Sequence, residues 1–179
     1  MAAAYKSKIL TKVISLCHEK KKTSPRLSSI IDDMNHSIRM EQEKKSEIEE
    51  DGFVILLQAL LKEKMTSEGS VIKICSDNEL IDDAIGNSVS PMLVGAGEYG
   101  SITPLYLAAE GETITEIPNT NLINGLVILI ALYYAFNISY PTTKGRNFFA
   151  FIEATLLDNS EDAKKRVSIN KILKEMDDM

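Results

Sequence analysis

TPLYLAAEGETITEIPNTNLINGLVILIALYYAFN, residues 103–137, decides the fold class. Its first half holds two short runs, Thr103 to Ala109 and Glu112 to Ile117, separated only by Glu110-Gly111. A two-residue connection with glycine at a position where positive φ is cheap predicts a β-hairpin. The second half changes period. Asn119 or Thr120 can cap a helix that starts near Asn121 and ends near Asn137. The expected class is therefore α+β: mostly helical, with a small antiparallel hairpin or sheet and a helical N-terminal arm.

The helix of this stretch is unusual in lacking charge. Ile117 to Thr143 contains no Asp, Glu, Lys or Arg, but its continuous apolar run, Leu126 to Phe136, is 11 residues long. A spanning helix needs roughly 20 such residues. Asn119, Asn121, Asn124 and Asn137 flank the run. A helix buried in a protein core is expected, and no membrane span.

Downstream, Tyr140-Pro141 marks a turn, because the residue before proline is pushed to an extended conformation. Phe148 to Leu157 repeats apolar residues at helical spacing, and Ser160 can cap a last helix carrying Ile169, Ile172/Leu173 and Met176. Upstream, Pro91 to Val94 and Val71 to Cys75 read as strands. Asn78 to Ile85 reads as a short helix stopped by Gly86, and Ser67 to Ser70 as a turn. Phe53 to Leu61 is apolar nearly all round, so a buried helix opening at Asp51-Gly52 is expected.

The N-terminal segment follows a different pattern. A first helix from about Ala3 to Lys22 carries Ile9, Val13 and Leu16 on one stripe, with Leu10 and Ile14 beside them. Thr23-Ser24-Pro25 ends it. A second helix from about Ser28 towards Glu50 carries Leu27, Ile31, Met34 and Ile38 at steps of 4, 3 and 4, a heptad seam. The seam fails at Glu41 and Lys45, and Glu41 to Asp51 reads as an exposed charged helix or linker. Three segments follow: a helical arm over 1–50, a compact domain over 51–158, and a C-terminal amphipathic helix over 159–179.

Composition bounds the class. The chain has 179 residues, 44% hydrophobic and 26% charged, with no Trp, so its core must be largely aliphatic. Its net charge is −6, a poor balance for a nucleic-acid binder. Residues 1–40 nevertheless hold eight Lys or Arg against three acids, +5, leaving −11 elsewhere. Cys17 and Cys75 are too few for a disulfide framework and have no Cys neighbours that suggest a zinc site. The N-terminus lacks the apolar run of a secretory signal, and a mitochondrial presequence would carry Arg among its first 18 residues. An intracellular location, cytoplasmic or nuclear, is expected.

Residues 132–141, LYYAFNISYP, followed by Phe148-Phe149-Ala150-Phe151-Ile152, carry a resemblance. Together with the strand, the acid-Gly hairpin and the long apolar helix before them, they resemble the C-terminal module of a large set of uncharacterised animal proteins. These are frequent in fishes and invertebrates, some carry a sterile alpha motif domain, and they have the look of a mobile-element spread. The resemblance covers about residues 50–158. It implies a fold-level unit and no activity, cofactor or site residue.

Candidate chemistry is sparse. Gly95-Ala96-Gly97-Glu98-Tyr99-Gly100 matches the G-x-G-x-x-G spacing, with Glu116 21 residues after Gly95. A dinucleotide site needs a helix to begin at this loop. Pro104 and the hairpin leave no room for one, so a Gly-rich strand connection is expected. Cys17 and His18 are adjacent and point about 100° apart on a helix, which prevents them from pairing. Asp77, Glu79, Asp82 and Asp83 cluster, but the EF-hand pattern from Asp77 would need Gly where Asp82 stands. No catalytic residue, cofactor, metal or small-molecule substrate is assigned. Lys164-Lys165-Arg166-Val167-Ser168 places basic residues before Ser168, a candidate phosphorylation site.

The expected function is that of a non-enzymatic protein-interaction, scaffold or oligomerisation protein. Its expected contact is the Leu27, Ile31, Met34 and Ile38 seam, covered by a second copy, by a protein partner or by the chain's own domain. The alternative is a nucleic-acid-associated protein that uses its basic N-terminal arm.

Overall fold

The computed structural model describes residues 2–62, 70–75, 79–118, 120–141, 145–157 and 159–179, with side chains from Ser7 onward. Ser67 to Gly69 of the expected turn, and Asp77, Asn78 and Asn119, lie outside the described residues. The order is α1 (Ala2–Lys20), α2 (Pro25–Met40), α3 (Lys45–Leu60), β1 (Ile72–Cys75), α4 (Ile81–Ile85), β2 (Met92–Ala96), β3 (Leu105–Ala109) and β4 (Glu112–Ile117). Then come α5 (Leu122–Ala135), α6 (Arg146–Leu156), α7 (Glu161–Lys164) and α8 (Val167–Asp177). The protein is α+β and mostly helical, as its patterning predicts.

The expected hairpin is β3 and β4. Glu110 and Gly111 both take positive φ, 56° and 81°, the backbone that matches the twist of the two strands. Their N–H groups donate to Val89 O and Ser88 O at 3.2 and 2.9 Å, which pins the turn to the preceding loop. β2 joins β3 antiparallel, and β1 adds at the edge in the order β1-β2-β3-β4. The β1–β2 pair is parallel, so the sheet is mixed rather than wholly antiparallel. A parallel neighbour needs a crossover rather than a tight turn, and the segment containing α4 supplies it.

The two faces of the sheet bury different things. Ile72, Leu93, Leu105 and Leu107 enter the main core, where Gly125 lets α5 lie against Leu93 and Leu105. Cys75, Met92, Val94 and Ala108 face the other way and are covered by Ala84 and Ile85 of α4. The main core is one cluster that includes Val13 and Ile31 from the N-terminal helices, Leu56, Leu129 and Phe149 from the middle, and Ile169 near the C-terminus. Lys12 Nζ also donates to Met176 O, and Lys20 pairs with Glu175 at 2.8 Å, so α1 and α8 lie side by side.

Several boundaries differ from the sequence expectation for physical reasons. The second helix does not run towards Glu50. Ser24 caps it by accepting the Leu27 N–H at 3.4 Å, Pro25 occupies its first turn, and it stops at Met40. After a 3-10 turn at Gln42–Lys44, the charged stretch becomes the first turns of α3. Ile48 is fully buried there, and its burial draws the stretch onto the core. Gly52 does not open the helix but lies inside it. A Cβ at Gly52 would stand 2.4 Å from Met34 Sδ, so glycine is what lets α2 and α3 approach. The last helix is two helices, with Arg166 between them bonded to Asp162 at 2.9 Å and to Asn147 at 3.1 Å.

The aromatic block is a packed joint between α5 and α6. Tyr140 stacks on Phe149 with centroids 4.2 Å apart, and Tyr133 tilts against both. Tyr134 and Tyr140 donate their hydroxyls to Glu153 Oε1 at 2.6 and 3.0 Å, and Tyr133 donates to Pro91 O at 2.8 Å.

Candidate functional site

Between α2 and β1, the end strand of the sheet among the described residues, lies an open cleft of about 740 Å³. All four residues of β1 line one wall. Asp33, His36 and Ser37 line the other, brought to one side of α2 by their spacing of three and four residues. Ile30, Ile55 and Ile102 supply apolar surface, and Gly97, Glu98 and Tyr99 close one end.

The backbone of β1 is presented to this cleft in a defined way. Leu93 N–H donates to Val71 O at 2.9 Å. In a parallel ladder alternate residues bond the neighbouring strand, so Ile72 and Ile74 turn their N–H and C=O groups to the free side. Ser70 covers the groups of Ile72: its Oγ accepts the Ile72 N–H at 3.3 Å and lies against Ile72 O. Gln58, fully buried in α3, meets the same hydroxyl at 3.0 Å through Oε1, while its Nε2 has no hydrogen-bond partner among the described residues. No side chain among the described residues covers Ile74 in this way.

The loop at the closed end is held from below. Asp51, 4% exposed, accepts the Gly100 N–H at 2.8 Å and also the Leu122 N–H at the start of α5. Burial pushes its carboxyl up to about 6, against the lowering effect of those two hydrogen bonds. Burial also pushes the Tyr99 hydroxyl up to about 12, helped by Asp33 and Asp51. Gly100 has φ 81°, and a Cβ there would stand 2.6 Å from Ile48 Cγ1, so the loop rests directly on α3. From this loop the chain runs straight into β3 with no helix, and the G-x-G-x-x-G segment is a strand connection.

Three of the four seam residues are inside the core: Leu27, Ile31 and Met34 are buried, and only Ile38 is half-buried at its margin. The surface that covers the seam is largely the chain's own, since α2 packs on α3 and α1. Ser168 is exposed in the first turn of α8. His18 and His36 are both exposed, on different helices. Burial pushes the Cys17 thiol up to about 12, and the Cys75 thiol is raised by burial and by Glu79. Glu79 pairs with Lys73, and Asp82 and Asp83 face solvent. Among the described residues, no three His, Cys, Asp or Glu are grouped to hold a metal ion, and no helix is long and apolar enough to cross a membrane.

The cleft residues escaped the sequence reading because they come from four separate segments that share no motif. One signal was present: Val71 to Cys75 is a short strand, a common feature of sheet edges. No family model matches the chain, and no curated protein and no solved structure matches it.

Proposed function

We propose that this is a non-enzymatic protein-interaction protein that holds an extended segment of another protein in the cleft between α2 and β1. What carries this reading is the register of β1, which ends the sheet among the described residues and turns the N–H and C=O of Ile74 away from β2 beside an open cleft with apolar surface. An extended chain there adds a strand to the sheet: main-chain bonds supply affinity, and side-chain contacts supply selectivity. Ile55 and Ile102 favour an apolar residue, and Asp33 and Glu98 favour a basic one. The raised thiols of Cys17 and Cys75 support the absence of cysteine chemistry, because the thiolate is the nucleophile.

Less supports the nucleic-acid reading. Lys12, Lys20 and Lys21 of the basic arm bond Met176 O, Glu175 and Asp32, so fewer charges are open to phosphates than the sequence count suggests.

The test is selection of random linear peptides on the purified protein, followed by fluorescence anisotropy on the variant Ile74→Pro. Proline removes the outward N–H while the ladder bonds of Lys73 and Cys75 to β2 remain. Selected peptides should bind the wild type and lose about tenfold or more in affinity on the variant, with the far-UV spectrum preserved. Peptides that bind the folded variant equally well would remove strand addition.

A further inference from the structure

We infer that α5 is also a self-association surface, on which a second copy of this chain packs its own α5 about a two-fold axis passing near Ala131. This inference is independent of the cleft, which lies on other elements.

α5 does not bury its whole circumference. Leu122, Leu126, Leu129 and Tyr133 face the core, while Val127 is 54% exposed, Ile128 39%, Tyr134 56% and, just past the helix, Ile138 40%. On the helix Val127, Ile128, Ala131, Tyr134 and Ala135 step by three and four on one face, and Ile138 follows past the left-handed Asn137 that ends it. No charged residue occurs from Ile117 to Thr143 to interrupt it. Six such side chains present roughly 500 Å² of apolar surface, at the upper end for a monomer. Two copies would bury at most about 1,000 Å², the lower limit of a specific interface.

The composition of the face selects its occupant. A second copy of a chain with net charge −6 is repelled over most approaches, and this uncharged face is where two copies meet without like charges. The face is also self-complementary. An antiparallel crossing at Ala131 sets Val127 of one copy against Ala135 of the other, large against small, and Ile128 against Tyr134. The central alanines permit close approach. Tyr134 is held in place by its bond to Glu153 at 2.6 Å. A membrane surface fits less well, because interfacial helices border their apolar face with Lys and Arg, and this helix has none.

The experiment is sedimentation velocity across protein concentration, at low and high salt. A wild type that shifts towards the mass of a dimer in the ~10–100 micromolar range, with little dependence on salt, is expected. Ala131→Glu should remain monomeric with an unchanged melting curve, because the position is exposed. Should that variant misfold, Val127→Lys with Ile138→Lys at the two ends of the face must give the same loss. Ala131→Cys should form a disulfide-linked dimer on mild oxidation, since the axis places the two residues within bridging distance. The native Cys17 and Cys75 are buried and do not compete. A wild type monomeric throughout, dimers that persist in the charged variants, or an Ala131→Cys protein that never cross-links would each overturn the proposal. So would a monomer that instead binds phosphatidylcholine vesicles through this face.

Discussion

α2 and α5 both carry an apolar stripe at helical spacing, and the two stripes meet opposite fates. On α2, Leu27, Ile31 and Met34 are at most 3% exposed, pressed against helices of the same chain. On α5, the most apolar helix of the protein, Val127 and Tyr134 remain more than half exposed. The stripe of the less apolar helix is buried, and part of the more apolar helix is not. What a stripe meets depends on how many neighbours the fold brings to it. α2 has α1 and α3 on its apolar side, whereas α5 lies on the sheet and α3 with its far side turned to water. Hydrophobicity drives burial in proportion to area, but it does not select the partner.

The sharpest way to break this comparison is to place a charge on each stripe. Leu129→Asp and Ile31→Glu each put a carboxylate at a position with 0% exposure. Each should cost several kcal/mol, comparable with the ~5–15 kcal/mol of a whole domain, so neither variant should show a cooperative melt. A folded Ile31→Glu protein with a normal melting temperature would return the seam to a partner. Ile38→Glu, at the half-buried end of the seam, should cost no more than about 1 kcal/mol.

A smaller effect tests how closely α2 is seated. Gly52→Ala adds a Cβ where Met34 Sδ stands 2.4 Å away. The overlap should cost about 1–3 kcal/mol in urea denaturation. A loss below about 0.5 kcal/mol would mean that Met34 shifts freely and that the α2–α3 contact is slack.

Asp51, on α3, ties the loop at the end of the cleft to α5, since it accepts N–H groups from Gly100 and from Leu122 at the start of α5. Its carboxyl is raised by burial from 3.8 to about 6 in the folded protein. The folded state therefore holds this proton more tightly than the unfolded chain does. Its stabilising contribution is full below about pH 4 and is lost as pH rises through 6, on the order of 1–3 kcal/mol. Subtracting the stability curve of Asp51→Asn from that of the wild type should isolate this fall between pH 4 and 6. A flat difference would show that Asp51 is better solvated than its burial implies.

The smallest effect belongs to the outer face of α5. Val127→Asp should change monomer stability by no more than about 0.5 kcal/mol, because the side chain already faces water. A large loss in thermal melting would place this face in the core and end the contrast with α2.

Local chemistry in the sequence determined the elements whose causes are local. Glu110-Gly111 fixed the hairpin, because two positive-φ residues match strand twist without help from elsewhere. Thr23-Ser24-Pro25 marked the break after α1, while α2 begins at Pro25, earlier than the expected Ser28, through the Ser24 cap bond and the preset φ of proline; Gly86 ended α4. Apolar spacing identified Val13, Leu16, Leu129 and Phe148 as core residues. Everything that needed two distant segments had to wait for the tertiary structure. The parallel seating of β1 depends on a crossover, the true extent of α3 on what Ile48 and Gly52 touch, and the cleft on bringing α2 to within reach of a strand about forty residues later. Burial is a property of the whole packing arrangement. A helix sequence states which side is apolar, and only the assembled neighbours decide how much of that side is covered.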